Sequence, residues 1–323
     1  TQITDANALT LGTLSTTGAL TAISTGALNL GSGSVGGNLD ATSNNGAISQ
    51  AGALSVSGTS ALNAGNGAIT LTNANNDFQG AVTATGAGVS LVDVNDLSVT
   101  SLTDNANGNV SLVAGGALSL PASALSAGTG NLTLAANGGV LSTSGALDGT
   151  NVSLTGRDGV TLGGDVTALG TLALTSTNAA IAQTAGNIAV TGLTTINAGS
   201  GAITLADGGN DFTGAVSLTG GVTQITDANA LTLGTLSTTG ALTAISTGAL
   251  NLGSGSVGGN LDATSNNGAI SQAGALSVSG TSALNAGNGA ITLTNANNDF
   301  QGAVTATGAG VSLVDVNDLS VTS

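Results

Sequence analysis

Between Gly108 and Gly170 apolar and polar residues alternate in short runs that recur at a fixed distance. GNVSL begins at Gly108, GNLTL at Gly130, TNVSL at Thr150 and GTLAL at Gly170, so the successive offsets are 22, 20 and 20. A second alternation follows each of the first three starts, as GALSL from Gly116, GGVLS from Gly138 and DGVTL from Asp158. A weaker third runs through SALSA from Ser123, GALDG from Gly145 and DVTAL from Asp165. Alternation over four or five residues is the signature of a strand with one buried face, and the intervening Gly, Asn, Ser, Thr and Asp are turn formers. Three strands per period of about 20–22 residues predict an all-β fold, a right-handed parallel β-helix whose three-sided coils bury their cores only by stacking. A helical period of useful length is absent, and a chain so rich in Gly, Thr, Ser and Asn makes long helices costly.

Two larger echoes overlie the coils. Residues 223–323 are identical to residues 1–101, an offset of 222. Such identity, extending over exposed Ser, Thr and Asn positions that tolerate exchange, points to tandem duplication or deliberate repetition of one unit. The organisation expected is a complete unit at 1–222 and a partial second copy at 223–323, in one continuous rod without an internal boundary. Within the unit, LNAGNGAITLTNANNDFQGAV (62–82) returns as INAGSGAITLADGGNDFTGAV (196–216) at an offset of 134, and the 284–304 copy follows at a further offset of 88. At about 22 residues per coil these offsets read as six and four coils, hence about ten per unit. Residues 83–107 are the least regular stretch.

Composition narrows the picture. The 323 residues include 53 Gly, one Pro (Pro121) and three aromatics, Phe78, Phe212 and Phe300, so Ala, Val, Ile and Leu must fill the core. That suits a narrow bore. All sixteen acids are Asp and the one base is Arg157, giving a formal charge of −15 that acts as a dilute repulsive coat. One Arg cannot provide the basic footprint that nucleic acid requires. No apolar run approaches the ~20 residues of a membrane span, so membrane insertion is not expected. The opening lacks a Met and starts mid-pattern, which reads as an internal piece of a longer chain.

Candidate chemistry is sparse. The motif NDFxGAV holds every Phe, at Asn76, Asp77 and Phe78, at Asn210, Asp211 and Phe212, and at Asn298, Asp299 and Phe300. Its simplest reading is a corner, with Asn-Asp turning the chain and Phe packed over the end of the core. Asn109, Asn131 and Asn151 fit the glycosylation acceptor pattern, but they also fall at the coil period, and an amide ladder explains both facts. The pairs Asp93/Asp96, Asp207/Asp211 and Asp158/Asp165 offer oxygens for calcium, yet the glycine-rich nonapeptide of calcium-binding β-rolls is missing. No cofactor is therefore expected, calcium being the single candidate. The same pairs are the only candidates for a glycosidase acid and base, without the aromatic or cationic groups expected to hold a polymeric sugar. With no His, Lys or Cys there is no base for a nucleophilic Ser and no usual zinc site, so an enzyme is not expected. The Thr-rich stretch 13–22 raises a hydroxyl surface for glycan or ice, although regular rows of alternating Thr are not evident.

GAITL-type strands, NNDFQGAVTATG, GNDFTGAVSLTGG followed by ITDANALTLG, and the Lys-free composition resemble the repeat shaft of filamentous-haemagglutinin-like adhesins, the large bacterial exoproteins of the two-partner pathway. The resemblance covers essentially the whole chain. It implies an extracellular or cell-surface β-helical filament serving as a stiff spacer in adhesion, aggregation or biofilm matrix. The partners it implies are further copies of the repeat and cell-surface or matrix polysaccharide. The alternative is a glycan- or ice-binding solenoid surface, and a polysaccharide-degrading β-helix stands third.

Overall fold

The computed structural model describes residues 1–322. The chain is an all-β parallel solenoid of about 20 residues per turn, with no helix among the described residues. It divides into two compact units, Thr1–Arg157 and Asp158–Ser323.

In the first unit each coil contributes one strand to each of three sides. The first side stacks Gln2–Asp5, Leu20–Ser24, Leu39–Ser43, Ser60–Asn63 and Val82–Gly86, all parallel. The second runs through Ile48–Ser49, Ile69–Leu71, Val89–Asp93, Val110–Ala114, Leu132–Ala136 and Val152–Gly156. The third stacks Thr13–Thr16, Ser32–Val35, Leu54–Val56 and Asp77–Phe78. Register follows from the two-residue period, because a slip of one position would turn every apolar side chain to solvent. Inward residues therefore form like-on-like columns, such as Leu71, Leu91, Leu112, Leu134 and Leu154, all fully buried. Each such aliphatic contributes about 1.5–3 kcal/mol relative to an exposed position.

The irregular stretch 83–107 has a structural cause. Leu97–Asp104 is one eight-residue strand covering two sides, and its burial alternation breaks where Thr100 and Ser101 are both exposed. There the chain turns a corner without a turn residue, and the register with Val82–Gly86 shifts.

The second unit repeats this plan. One side stacks Thr223–Asp227, Leu242–Ser246, Leu261–Ser265, Ser282–Asn285 and Val304–Thr307. Another carries Val166–Ala168, Ile188–Val190 and Asp211–Phe212. The next side in chain order carries Val216–Gly220, the second half of Leu231–Thr238, Ser254–Val257, Leu276–Val278 and Asp299–Phe300. From Phe212 to Phe300 the chain crosses thirteen sides, because Leu231–Thr238 again covers two. That interval is thus four coils and one side, where the sequence spacing implied four whole coils.

Corners obey a steric rule of their own. Asn45 adopts φ +63 and Gly65, one coil on, φ +57; Asn267 and Gly287 repeat this at φ +64 and +55. The Asn45 carboxamide accepts the Asn66 N–H at 2.9 Å, and a Cβ at Gly65 would lie 2.5 Å from that same Oδ1. A left-handed corner holding Asn on one coil therefore needs Gly on the next.

Candidate functional site

The NDFxGAV blocks are the chemically distinctive places in the solenoid. Asn76 is fully buried at a corner. Its Oδ1 accepts from the Leu54 N–H at 2.9 Å and Gln50 Nε2 at 2.7 Å, while its Nδ2 donates to Gln50 Oε1 at 2.9 Å and Leu71 O at 3.1 Å. All four capacities of the amide are thus used, which is what burying it requires. Asp93 lies further along the chain. Its two carboxylate oxygens accept the Phe78 N–H at 2.8 Å and the Asn95 N–H at 2.9 Å. Gln50, Asn76 and Asp93 stand on three successive coils, so one network ties all three.

The other two blocks rebuild it. Asn210 pairs with Gln183 at 2.7 and 2.9 Å and accepts the Ile188 N–H at 2.9 Å; Asp227 accepts the Phe212 N–H at 3.0 Å. Asn298 pairs with Gln272 at 2.7 and 2.9 Å and accepts the Leu276 N–H at 3.0 Å, with Asp315 on the Phe300 N–H at 3.0 Å. Burial pushes the Asp93 and Asp227 carboxyls above the ordinary carboxylate value; their backbone donors oppose the shift, and neighbouring aspartates (Asp77 and Asp96 for Asp93, Asp211 for Asp227) add to it. Asp77, Asp211 and Asp299 sit nearer the surface. Asp299 is held below the ordinary value by donors from Gln301 and Asn317.

Phe78, Phe212 and Phe300 lie inside the bore, at most 1% exposed, each stacked on a valine: Val56, Val190 and Val278. Admitting a phenyl ring to a bore sized for aliphatics requires space elsewhere on the coil. Ser60, between Leu39 and Val82, and Ser282, between Leu261 and Val304, are small side chains in aliphatic columns and leave such space, while Thr194, the size of a valine, holds the matching place beside Val216. Among the described residues their buried hydroxyls have no hydrogen-bond partner.

The remaining candidates take structural positions. Asp96 Oδ1 accepts the Ala117 N–H, Asp207 Oδ1 the Gly209 N–H and Asp165 Oδ1 the Asn187 N–H, so these carboxylates serve turns. Among the described residues no three His, Cys, Asp or Glu side chains gather to hold a metal ion. Asn131 donates its N–H to Asn109 Oδ1 and Asn151 Nδ2 donates to Asn131 Oδ1, both at 2.9 Å, forming an exposed amide ladder. The outward column through Thr21 continues as Asp40, Ala61, Thr83 and Ser101, so Thr does not recur on every rung. No described helix is long and apolar enough to cross a membrane.

Fold and blocks together define a β-solenoid repeat protein whose repeat is marked by a buried amide network. A family described as repeats of unknown function (DUF5649) matches residues 20–85, 149–219 and 244–307, more than half of the chain, and the chain belongs to it. Each match contains one Gln–Asn pair and its Phe. No curated protein and no solved structure matches the chain.

Proposed function

We propose that the chain is a shaft segment of a secreted bacterial fibre or adhesin of the filamentous-haemagglutinin-like kind, acting as a stiff extracellular spacer in adhesion, aggregation or biofilm matrix. The observation that carries this reading is the Gln–Asn–Asp network, which recurs in three blocks and binds three successive coils each time. Such a network opposes fraying of individual coils, and a solenoid so tied resists bending and local opening. The mechanism is length: each added coil extends the reach by ~4.8 Å. Further copies of the repeat are the expected partners, in a longer chain or end to end, and no catalysis is required.

Electron microscopy of the native assembly, with its diffraction, tests this. A ~4.8 Å layer line from particles much longer than they are wide is the expected result. Globular particles without that spacing would overturn the shaft reading.

A further inference from the structure

We propose that a notch on the second side of the first unit binds a single neutral sugar. The notch arises from unequal corners. Between the first and second sides the chain spends residues 64–68 on one coil and 105–109 two coils later, but only Ala87 and Gly88 on the coil between. At the short corner lies an open cavity of about 230 Å³, lined by Thr70, Ser90 and Asn109 together with Ala87, Gly88 and the Ala68–Ile69 segment. Asn105 Nδ2 reaches across the gap to Gly65 O at 2.8 Å, tying the two long corners together beside it. Asp104 Oδ1 holds the Gly88 N–H at 2.9 Å and so fixes the short corner.

Thr70, Ser90 and Asn109 line the notch from three successive coils. Thr70 and Ser90 are paired in register, which sets their outward hydroxyls one rung, ~4.8 Å, apart. Asn109 has its Oδ1 engaged by the Asn131 N–H, which leaves its Nδ2 as a donor. Two hydroxyls that donate and accept, beside one amide donor, match a polyol, whose hydroxyls also do both. Charge selects within that class: Arg157, the only basic side chain, does not line the notch, and the Asp104 carboxylate beside it disfavours anions. Size selects again, since drug-sized pockets start at ~300 Å³ and this one suits one ring. With every Phe buried there is no stacking platform, so binding is expected to be weak, about millimolar. The proposal is independent of the shaft reading, because sugar binding and fibre formation are observed separately.

Amide NMR of the full chain, titrated with glucose, galactose and mannose, tests it. Saturable shifts at residues 68–70, 87–90 and 109 are expected with at least one sugar. Replacing both outward hydroxyls, Thr70→Val with Ser90→Ala, should weaken that binding by about tenfold or more. Thr204→Val, an outward change in the second unit, should leave it unchanged. No saturable shift with any of the three sugars overturns the proposal, as does full binding by the double variant. Preference for glucuronate over the neutral sugars overturns the ligand class.

Discussion

The Asn210 and Asn298 blocks of the second unit have the same interior and different addresses. Their Gln–Asn pairs share the same two distances, 2.7 and 2.9 Å, and both amides accept a strand N–H at 2.9–3.0 Å. Yet Phe212 stands in the column of Val190, whereas Phe300 stands on the following side, in the column of Val257 and Val278. A network spanning three coils is therefore indifferent to which side it begins on. These two sides act as equivalent seats, and the repeat need not contain a whole number of coils. The surroundings differ: Asn298 Nδ2 also donates to Val314 O at 3.2 Å, and the caps are not alike. Asp227 divides its oxygens between the Phe212 and Asn229 N–H groups, while Asp315 uses one oxygen for Phe300 and Val316 and its other has no partner among the described residues.

If the sides are equivalent, matched substitutions should cost the same. The largest effect is expected from Phe212→Ala and Phe300→Ala, each about 3–5 kcal/mol, read as loss of hydrogen-exchange protection in the flanking coils. A difference of several kcal/mol between them would break the equivalence. Asn210→Leu and Asn298→Leu come next, at about 2–4 kcal/mol each, since each strands a buried strand N–H and removes the partner of a half-buried Gln amide. Gly65→Ala should cost about 1–3 kcal/mol by meeting the Asn45 carboxamide and straining a left-handed corner. Adding Asn45→Gly should recover the clash but not the strain, giving a non-additive double-mutant cycle in chemical denaturation. Thr194→Val should stabilise by about 1 kcal/mol, because it keeps the shape and removes a hydroxyl without a partner.

The smallest effect concerns pH. Asp227 has a folded-state value raised above the ordinary 3.8, chiefly by burial. Its contribution is therefore fully present below that value and is lost as pH rises through the folded-state value. Between acid and neutral pH, denaturation midpoints of Asp227→Asn should fall less steeply than those of the parent. An equal or steeper fall would mean that the carboxyl is not perturbed as described.

Much of this was legible in the sequence, for a definite reason. Period-2 alternation and the regular return of the coil state the strand and the stack directly, as GNVSL, GNLTL and TNVSL do, and their asparagines do form a ladder. The Phe motif was visible too, but its packing was not: an end-capping Phe was expected, and the ring lies in the bore, stacked on a valine, with Ser60 and Ser282 leaving room on the same coil in two of the three blocks. The network was hidden because its members are joined across coils and not along the chain. Gln50 and Gln183 fall one position out of the echo that relates Phe78 to Phe212, and Asp93 and Asp227 keep its offset among neighbours that have diverged. The fractional coil count was hidden by Leu97–Asp104 and Leu231–Thr238, single runs that serve two sides.

A spin-label distance tests the central claim, the step of one side between the Phe212 and Phe300 blocks. Labels at Thr213→Cys and Gln301→Cys occupy the same exposed position of the two blocks. Four coils and one side place them ~21 Å apart along the axis and one triangle edge, ~22 Å, apart across it, or about 30 Å in all. A distance of about 20 Å would mean four whole coils on one side, and would contradict the equivalence of the sides.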